Sequence, residues 1–182
     1  MKICVATVQE ANALIPDKYK DNVVITGIGI INTLETIREL NLIGDYVVNV
    51  GFAGAHNVPV GEIRPILWNK MYQESNIDGI GSQPLTTYKT DKKFSFCYTA
   101  SDFLYSTNKK DAEFLVDMEL AAYSSLLCPI YSIKVVSDNL DEDSYNKALE
   151  SNYKDVIQDE LEKREKSVNL WLKYAERRVK NG

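Results

Sequence analysis

Apolar residues fall along this chain in short blocks, and each block closes on a polar or glycine-rich cluster. Lys2 to Val8 is an apolar run with valine and isoleucine that stops at Gln9-Glu10. It predicts a buried strand. Val23 to Thr26 predicts a second strand, closed by Gly27-Ile28-Gly29. From Asn32 to Leu42 the period changes. Leu34, Ile37 and Leu40 or Asn41 fall near one face, which predicts a helix with Gly44 as its stop. Tyr46 to Val50 predicts a third strand, followed at once by Gly51-Phe52-Ala53-Gly54-Ala55.

Val60 to Trp68 contains another predicted strand, and Asn69 to Lys93, polar with Gly79, Gly81 and Pro84, reads as mostly loop. Phe94 to Tyr98 and Phe114 to Met118 are strand-like, Glu119 to Leu127 predicts a helix, and Ile130 to Val136 is a β-branched run ending in Ser137-Asp138-Asn139. In the tail, Leu149, Tyr153, Val156 or Ile157, and Leu161 follow a helical period. The tail from Leu140 to Gly182 has 10 acidic and 9 basic residues, so its polar face is mixed rather than basic. That fits a helix with one buried and one solvated face, not a membrane-surface helix. Alternating strands and helices predict one α/β domain over 1–182. The expected architecture has three layers: a mixed, mostly parallel sheet flanked by helices, with a charged helical segment at about 141–182.

Composition narrows the partners. Among 182 residues, 21 Lys and Arg stand against 26 Asp and Glu, a net charge of -5. A nucleic-acid binder is expected to carry a basic stripe instead. The longest apolar run, Val23 to Ile31, is broken by Thr26 and two glycines. It falls well short of the roughly 20 residues a spanning helix needs, so no membrane span is expected. Met1 to Ala6 lacks the succession of regions of a signal peptide. Cys4, Cys97 and Cys128 are far apart with apolar neighbours. They read as buried free thiols of a reducing compartment, which makes the expected location cytoplasmic. His56, the single histidine, is expected in a surface loop. No His or Cys grouping has metal-ligand spacing, so neither metal nor cofactor is expected.

In open α/β sheets, ligands sit beyond the carboxyl ends of the strands. Here the runs end in Gln9-Glu10, Gly27-Ile28-Gly29, Gly51-Phe52-Ala53-Gly54, Ser101-Asp102, Asp117-Met118-Glu119 and Ser137-Asp138-Asn139. If the strands are parallel, these clusters converge on one rim and form a pocket with several carboxylates. Each cluster alone has a plainer reading. Glu10 suits a helix start, and Asp138 suits the N-cap of the acidic helix that follows. Gly27-Ile28-Gly29 lacks the third glycine of a dinucleotide fingerprint, because Asn32 stands there. No nucleophile-elbow motif is present.

The order of the clusters is more specific than any one of them. Thr26-Gly27-Ile28-Gly29-Ile30-Ile31-Asn32-Thr33 resembles the T-G-I-G-x-x-N-A segment of the nucleoside phosphorylase and nucleosidase superfamily. Asn49-Val50-Gly51-Phe52-Ala53-Gly54-Ala55, followed by Val60-Gly61-Glu62-Ile63, resembles its N-x-G-x-A-G-(G/A)…V-G-(D/E)-(I/V) segment. Val116-Asp117-Met118-Glu119-Leu120-Ala121-Ala122 is similar to its V-D-M-E-(G/S)-A-A signature, and Val136-Ser137-Asp138-Asn139 with Asp141-Glu142 to its (I/V)-S-D-x-x-D/E segment. The branch that these motifs resemble most is 5′-methylthioadenosine/S-adenosylhomocysteine nucleosidase, with futalosine hydrolase as a near relative.

The resemblance implies a nucleoside phosphorylase-like fold and hydrolysis of a purine nucleoside to base and sugar. It also implies roles. Asp138 matches the aspartate that donates to N7 of the purine, Glu119 the glutamate on the ribose hydroxyls, and Met118 the methionine beneath the sugar. Glu10 matches the glutamate that activates water once the N-terminus is shifted; an ungapped alignment puts Asn12 there. Phe103 is matched to the phenylalanine that stacks on the base. Phe52, Ala53, Gly54 and Ser137 complete the implied substrate-binding set. The family is commonly oligomeric, so a homodimer is implied.

Such residue types suit the chemistry. A carboxylic acid at the departing base and a carboxylate near the cationic sugar lower the barrier to N-glycosidic cleavage. Superfamily phosphorylases hold phosphate with an arginine before the central glycine motif. Val47-Val48-Asn49-Val50 has none, and Arg38 and Arg64 do not match, so water is the expected nucleophile. The alternatives are a purine nucleoside phosphorylase, or a nucleoside-binding protein without turnover. This sequence departs from the family pattern at Phe52, where a small or hydroxyl residue is usual, and at Leu120. It is also shorter between Arg64 and Phe94 and around Ser101-Asp102.

Overall fold

In the computed structural model the described residues are 1–41, 46–72, 83–84, 93, 95–107, 113–125 and 130–181. The first apolar run is shorter as a strand than its hydropathy predicts. Strand β1 spans Lys2–Val5, and helix α1 starts at Val8 and runs to Leu14. Thr7 explains the early stop. Its side chain accepts a hydrogen bond from the Glu10 backbone N–H at 3.1 Å and caps the helix. Glu10 therefore sits in the first turn of a helix. A 3-10 segment, Asp17–Asn22, leads into β2 (Val23–Ile25) and α2 (Gly29–Glu39).

Strand β3 is longer than predicted, Val47–His56, and carries the whole glycine motif in extended backbone. His56 ends this strand half-buried, its ring 5.4 Å from that of Phe114, rather than in a surface loop. Strand β4 (Ile63–Met71) enters the expected loop region, and β5 (Gln83–Pro84) lies within it. There follow β6 (Ser95–Thr99) and β7 (Phe114–Asp117). The expected helix after Glu119 is a 3-10 segment, Leu120–Ser125. Strand β8 (Ile130–Asp138) precedes α3 (Glu142–Leu149) and the long α4 (Lys154–Asn181), so the charged tail forms two helices. Gly44, Phe94 and Cys128 lie outside the described residues. Cys4 and Cys97 are buried free thiols.

The sheet is mixed and mostly parallel, as expected, but it is not open. β1 pairs in parallel with β2 and β3, and β3 in parallel with β8. β4 runs antiparallel to β8 and parallel to β6, and β6 runs parallel to β7. β7 returns antiparallel to β3. The five strands β3, β8, β4, β6 and β7 thus close a ring, with β1 and β2 extending from one edge of β3.

Alternating residues feed two cores. Ile3, Val5, Val48, Val50, Ile133 and Val135 face α1, α3 and α4, while Cys4, Val47, Ala53, Ala55, Leu115 and Val136 face α2 and the second 3-10 segment. Helices therefore cover the sheet on both sides, in three layers. Strand β8 is buried along its whole length. Behind it, Ile157 and Leu161 of α4 join the core, and the Arg164 guanidinium lies 3.9 Å from the centre of the Tyr131 ring. The clamp acts on the face of β8 that carries Tyr131, Ile133 and Val135.

Ile133 at the centre of β8 is fully buried. Ile133→Ala should lower the unfolding free energy by about 2–5 kcal/mol, read from urea denaturation with unchanged slope.

Candidate active site

The site begins with a gap on one edge of β3. Along that edge β1 pairs with Lys2↔Val47 to Cys4↔Asn49, and β7 pairs with Gly54↔Val116 to His56↔Phe114. β1 runs with β3 and β7 runs against it. The two strands therefore point their carboxyl ends at each other across the stretch 50–53. The parallel rim expected from the sequence is replaced by this head-on arrangement, because β7 pairs only with the last three residues of β3. Glu10 follows the end of β1, and Met118-Glu119 follow the end of β7.

Asp138 reaches the gap from the opposite edge. Ala53 pairs with Val136 but Gly54 pairs with Asp138, so Ser137 is an extra residue on β8. Such a bulge re-aims the side chain that follows it. A Cβ on Gly54 would lie 2.8 Å from Asp138 Oδ1, too close for any side chain. The Asp138 carboxylate accepts hydrogen bonds from Ser137 Oγ, from Leu140 N at 2.8 Å and from Asp141 N at 3.3 Å. The helix N-cap predicted at Asp138 is Asp141, whose carboxylate takes the Ser144 N–H at 2.8 Å.

The gap opens into a cavity of about 170 Å³. Glu10, Glu119 and Asp138 all line it, with Met118, Phe103, Phe52, Ala53, Gly54 and Ser137. Asn12, the ungapped alternative to Glu10, does not. Asp117 and Tyr145 also line the cavity. Beneath it, inside the ring, Lys134 Nζ bonds Asp117 Oδ2 at 2.8 Å, and both side chains are 1 % exposed. A Cβ on Gly51 would lie 3.1 Å from Lys134 Nζ and 3.6 Å from Glu10 Oε2. The missing side chain there lets cation and carboxylate approach.

Burial sets the protonation of this group. The Glu10 carboxyl is pushed up to about 7 by desolvation, opposed by the Lys134 charge and reinforced by Glu119. Phe52 and Ala6 backbone N–H groups favour its charge, yet Glu10 Oε2 receives no hydrogen bond of ordinary geometry among the described residues. Glu119 is raised by burial and then by Asp117, while Oε1 accepts the Gly29 N–H at 2.9 Å. Asp138 is raised by burial against the pull of its hydrogen bonds. Burial pushes Lys134 toward neutrality, but Asp117 and Glu119 outweigh it and hold the ammonium charged.

No protein-family model and no curated protein sequence matches the chain. Solved structures do. An MTAN from Chlamydia trachomatis bound to MTA is similar over 81% of this chain and 87% of that one, with a TM-score of 0.62 and 20% identity. The 5′-methylthioadenosine nucleosidase of Arabidopsis thaliana in apo form has a TM-score of 0.60 and 18% identity over 81% and 86% of the two chains. A futalosine hydrolase mutant of Helicobacter pylori has 0.59 and 14% over 82% and 89%.

This chain has the nucleoside phosphorylase/nucleosidase fold. In that fold the nine residues singled out from the sequence share one cavity, whatever their roles. Lys134 and Tyr145 were not among them. Lys134 stands in a β-branched run and carries no motif, and Tyr145 reads as one more position on an acidic helix. Among the described residues no group of His, Cys, Asp and Glu could hold a metal ion. No described helix is long and apolar enough to cross a membrane.

Between the ordinary 4.5 and the folded value of about 7 for Glu10, the folded state holds a proton that the unfolded state releases. Stability should fall as pH rises through that window and stay low above it. Glu10→Gln removes the effect. Urea melts should find the variant close to the parent near pH 4.5 and more stable at pH 8, by about 3 kcal/mol.

Proposed function

We propose that this chain hydrolyses the N-glycosidic bond of a purine nucleoside, of the methylthioadenosine or S-adenosylhomocysteine kind, to free base and sugar. One observation carries the reading: Glu10, Glu119 and Asp138 converge on a single cavity from three separate parts of the chain. The likeness to nucleosidases, one of them bound to MTA, supports the substrate class.

The reaction follows from the protonation states. Asp138, held toward its neutral form by burial, donates its proton to N7 of the purine as the C1′–N9 bond breaks and its electron pair leaves with the base. Glu10, raised to about 7, is poised as a general base near neutral pH. A water held by its carboxylate gives one proton to Glu10 and its oxygen to C1′. Glu119 and the half-buried Met118 lie where the sugar hydroxyls and sugar face would rest, and Phe103 where the base would stack. Ser137 steadies Asp138 through its hydroxyl. Phe52, Ala53 and Gly54 form the wall between them. Glu10 then releases its proton to solvent and Asp138 regains one from it, so base and free sugar are the only products.

Water is favoured over phosphate. The cavity is lined by Glu10, Asp117, Glu119 and Asp138, and the charge of Lys134 is taken up by Asp117. Arg64 is engaged by Glu62 at 2.9 Å and Ser95 at 3.0 Å. A dianion would find repulsion rather than a bidentate clamp. Cavity size favours a second reading, a nucleoside-binding protein without turnover. About 170 Å³ is below the roughly 300 Å³ at which small-molecule pockets begin.

The protein should release free base from methylthioadenosine or S-adenosylhomocysteine in a panel that also holds adenosine, inosine and futalosine. The rate should be unchanged by phosphate, and the sugar should appear without phosphate. Asp138→Asn should cut kcat by roughly 10²–10⁴-fold. Binding without base release selects the second reading; sugar 1-phosphate selects a phosphorylase.

A further inference from the structure

The cavity contains an aromatic group that the proposed chemistry leaves without a role. Tyr145 stands on α3, with its ring edge-on to Phe52 (centroids 6.3 Å apart, 86°) and to Phe103 (5.9 Å, 66°). A phenylalanine would pack there as well. A phenol set among aromatic rings keeps its hydroxyl at a cost unless the hydroxyl has a partner. The partner here is Glu10 Oε1, at 3.5 Å. Hydrogen bonds of this kind are long in unliganded sites and tighten when substrate is bound.

We propose that Tyr145 is a positioning residue for Glu10: its O–H donates to Oε1 and fixes how the carboxylate faces the cavity. This rests on the hydrolytic reading above. The placement is built into the backbone. The Asp138 carboxylate ties down the Leu140 and Asp141 N–H groups at the start of α3, and the Tyr145 N–H bonds the Asp141 carbonyl at 3.3 Å. Leu140 is held at φ +68° in the same turn. The acid at the base and the hydroxyl at the water thus ride on one short segment, fixed from one end by Asp138.

The charged groups around this contact favour a donor phenol. Tyr145 faces Glu10 from α1, Glu119 from the end of β7 and Asp138 from β8, and burial with these carboxylates keeps it protonated. Glu10 in turn faces Lys134 from β8 and Glu119, besides Tyr145. Asp117 of β7 is paired with Lys134. A hydrogen bond donated to a carboxylate favours its charged form. Removing the phenol should therefore raise the Glu10 midpoint further.

The test compares the full chain with Tyr145→Phe, and with Tyr145→Met as a second filler that lacks a donor. Carbon-13 NMR of labelled glutamate should find the Glu10 midpoint about one pH unit higher in either variant. The acid limb of kcat/KM should move up with it. At pH 8.5 kcat should fall several-fold while KM stays within about twofold, because the aim of the water is lost and the wall remains. An unchanged Glu10 midpoint in a folded variant overturns the proposal. A raised KM with an unmoved acid limb also overturns it, and makes Tyr145 a wall contact. If the parent releases no base from any nucleoside, the hydrolytic reading falls, and the NMR midpoint alone still decides whether Tyr145 holds Glu10.

Discussion

The acidic centre of this protein depends on one buried cation. Lys134 lies inside the closed ring of strands, bonded to Asp117, and its charge reaches Glu10 and Glu119. Taking a lone charge out of water costs several kcal/mol, so a buried ion survives only with partners. Asp117 is well supplied. It also accepts from Thr99 Oγ1 at 2.8 Å and from Leu120 N at 3.1 Å, and Thr99 is held by Asn69 at 2.8 Å. The ion pair and its supports therefore tie four strands together, β4, β6, β7 and β8. Glu10 is set by a balance that follows: burial pushes its carboxyl up and the nearby ammonium pulls it back. Without the cation, burial and the neighbouring carboxylate would both hold Glu10 protonated, with nothing of like strength to pull it back.

That balance needs close approaches that ordinary side chains would block. β3 supplies two of them, on either side of its middle. Gly51 gives the Lys134 ammonium room beside Glu10, and Gly54 gives the Asp138 carboxylate room against the backbone. The extra residue Ser137 then turns Asp138 into the gap between β1 and β7. One strand thus spaces Asp138, Glu10 and Lys134. The helices behind β8 keep that spacing fixed, since α4 packs Ile157 and Leu161 into the core beneath it.

Much of the site could be read in the chain, and the reasons are local. Glu10, Glu119 and Asp138 each close or follow an apolar run, and the carboxyl end of a strand is where polar groups can leave the core. The strand predicted over Lys2 to Val8 ends early because an apolar run does not announce a cap: Thr7 turns the chain into α1 two residues before the hydropathy changes. The N-cap expected at Asp138 fell on Asp141, since two aspartates three residues apart suit a cap equally well. Lys134 carries no signal of this kind. In Ile130 to Val136 a lysine reads as an outward-facing residue, and nothing nearby in sequence says that both faces of β8 are covered.

The sequence by itself determined the alternation of strands and helices, the positions of the carboxylates at strand ends, and the solvated character of the tail. These follow from the period of apolar residues and from short-range turn chemistry. Strand direction did not follow, because a period of two is the same whichever way a strand runs. Only the tertiary structure decided that β7 turns back against β3, that the sheet closes into a ring, and that Lys134 points into it. Those outcomes come from pairings between residues far apart in the chain. The juxtaposition of Tyr145 with Glu10, across 135 residues, belongs to them.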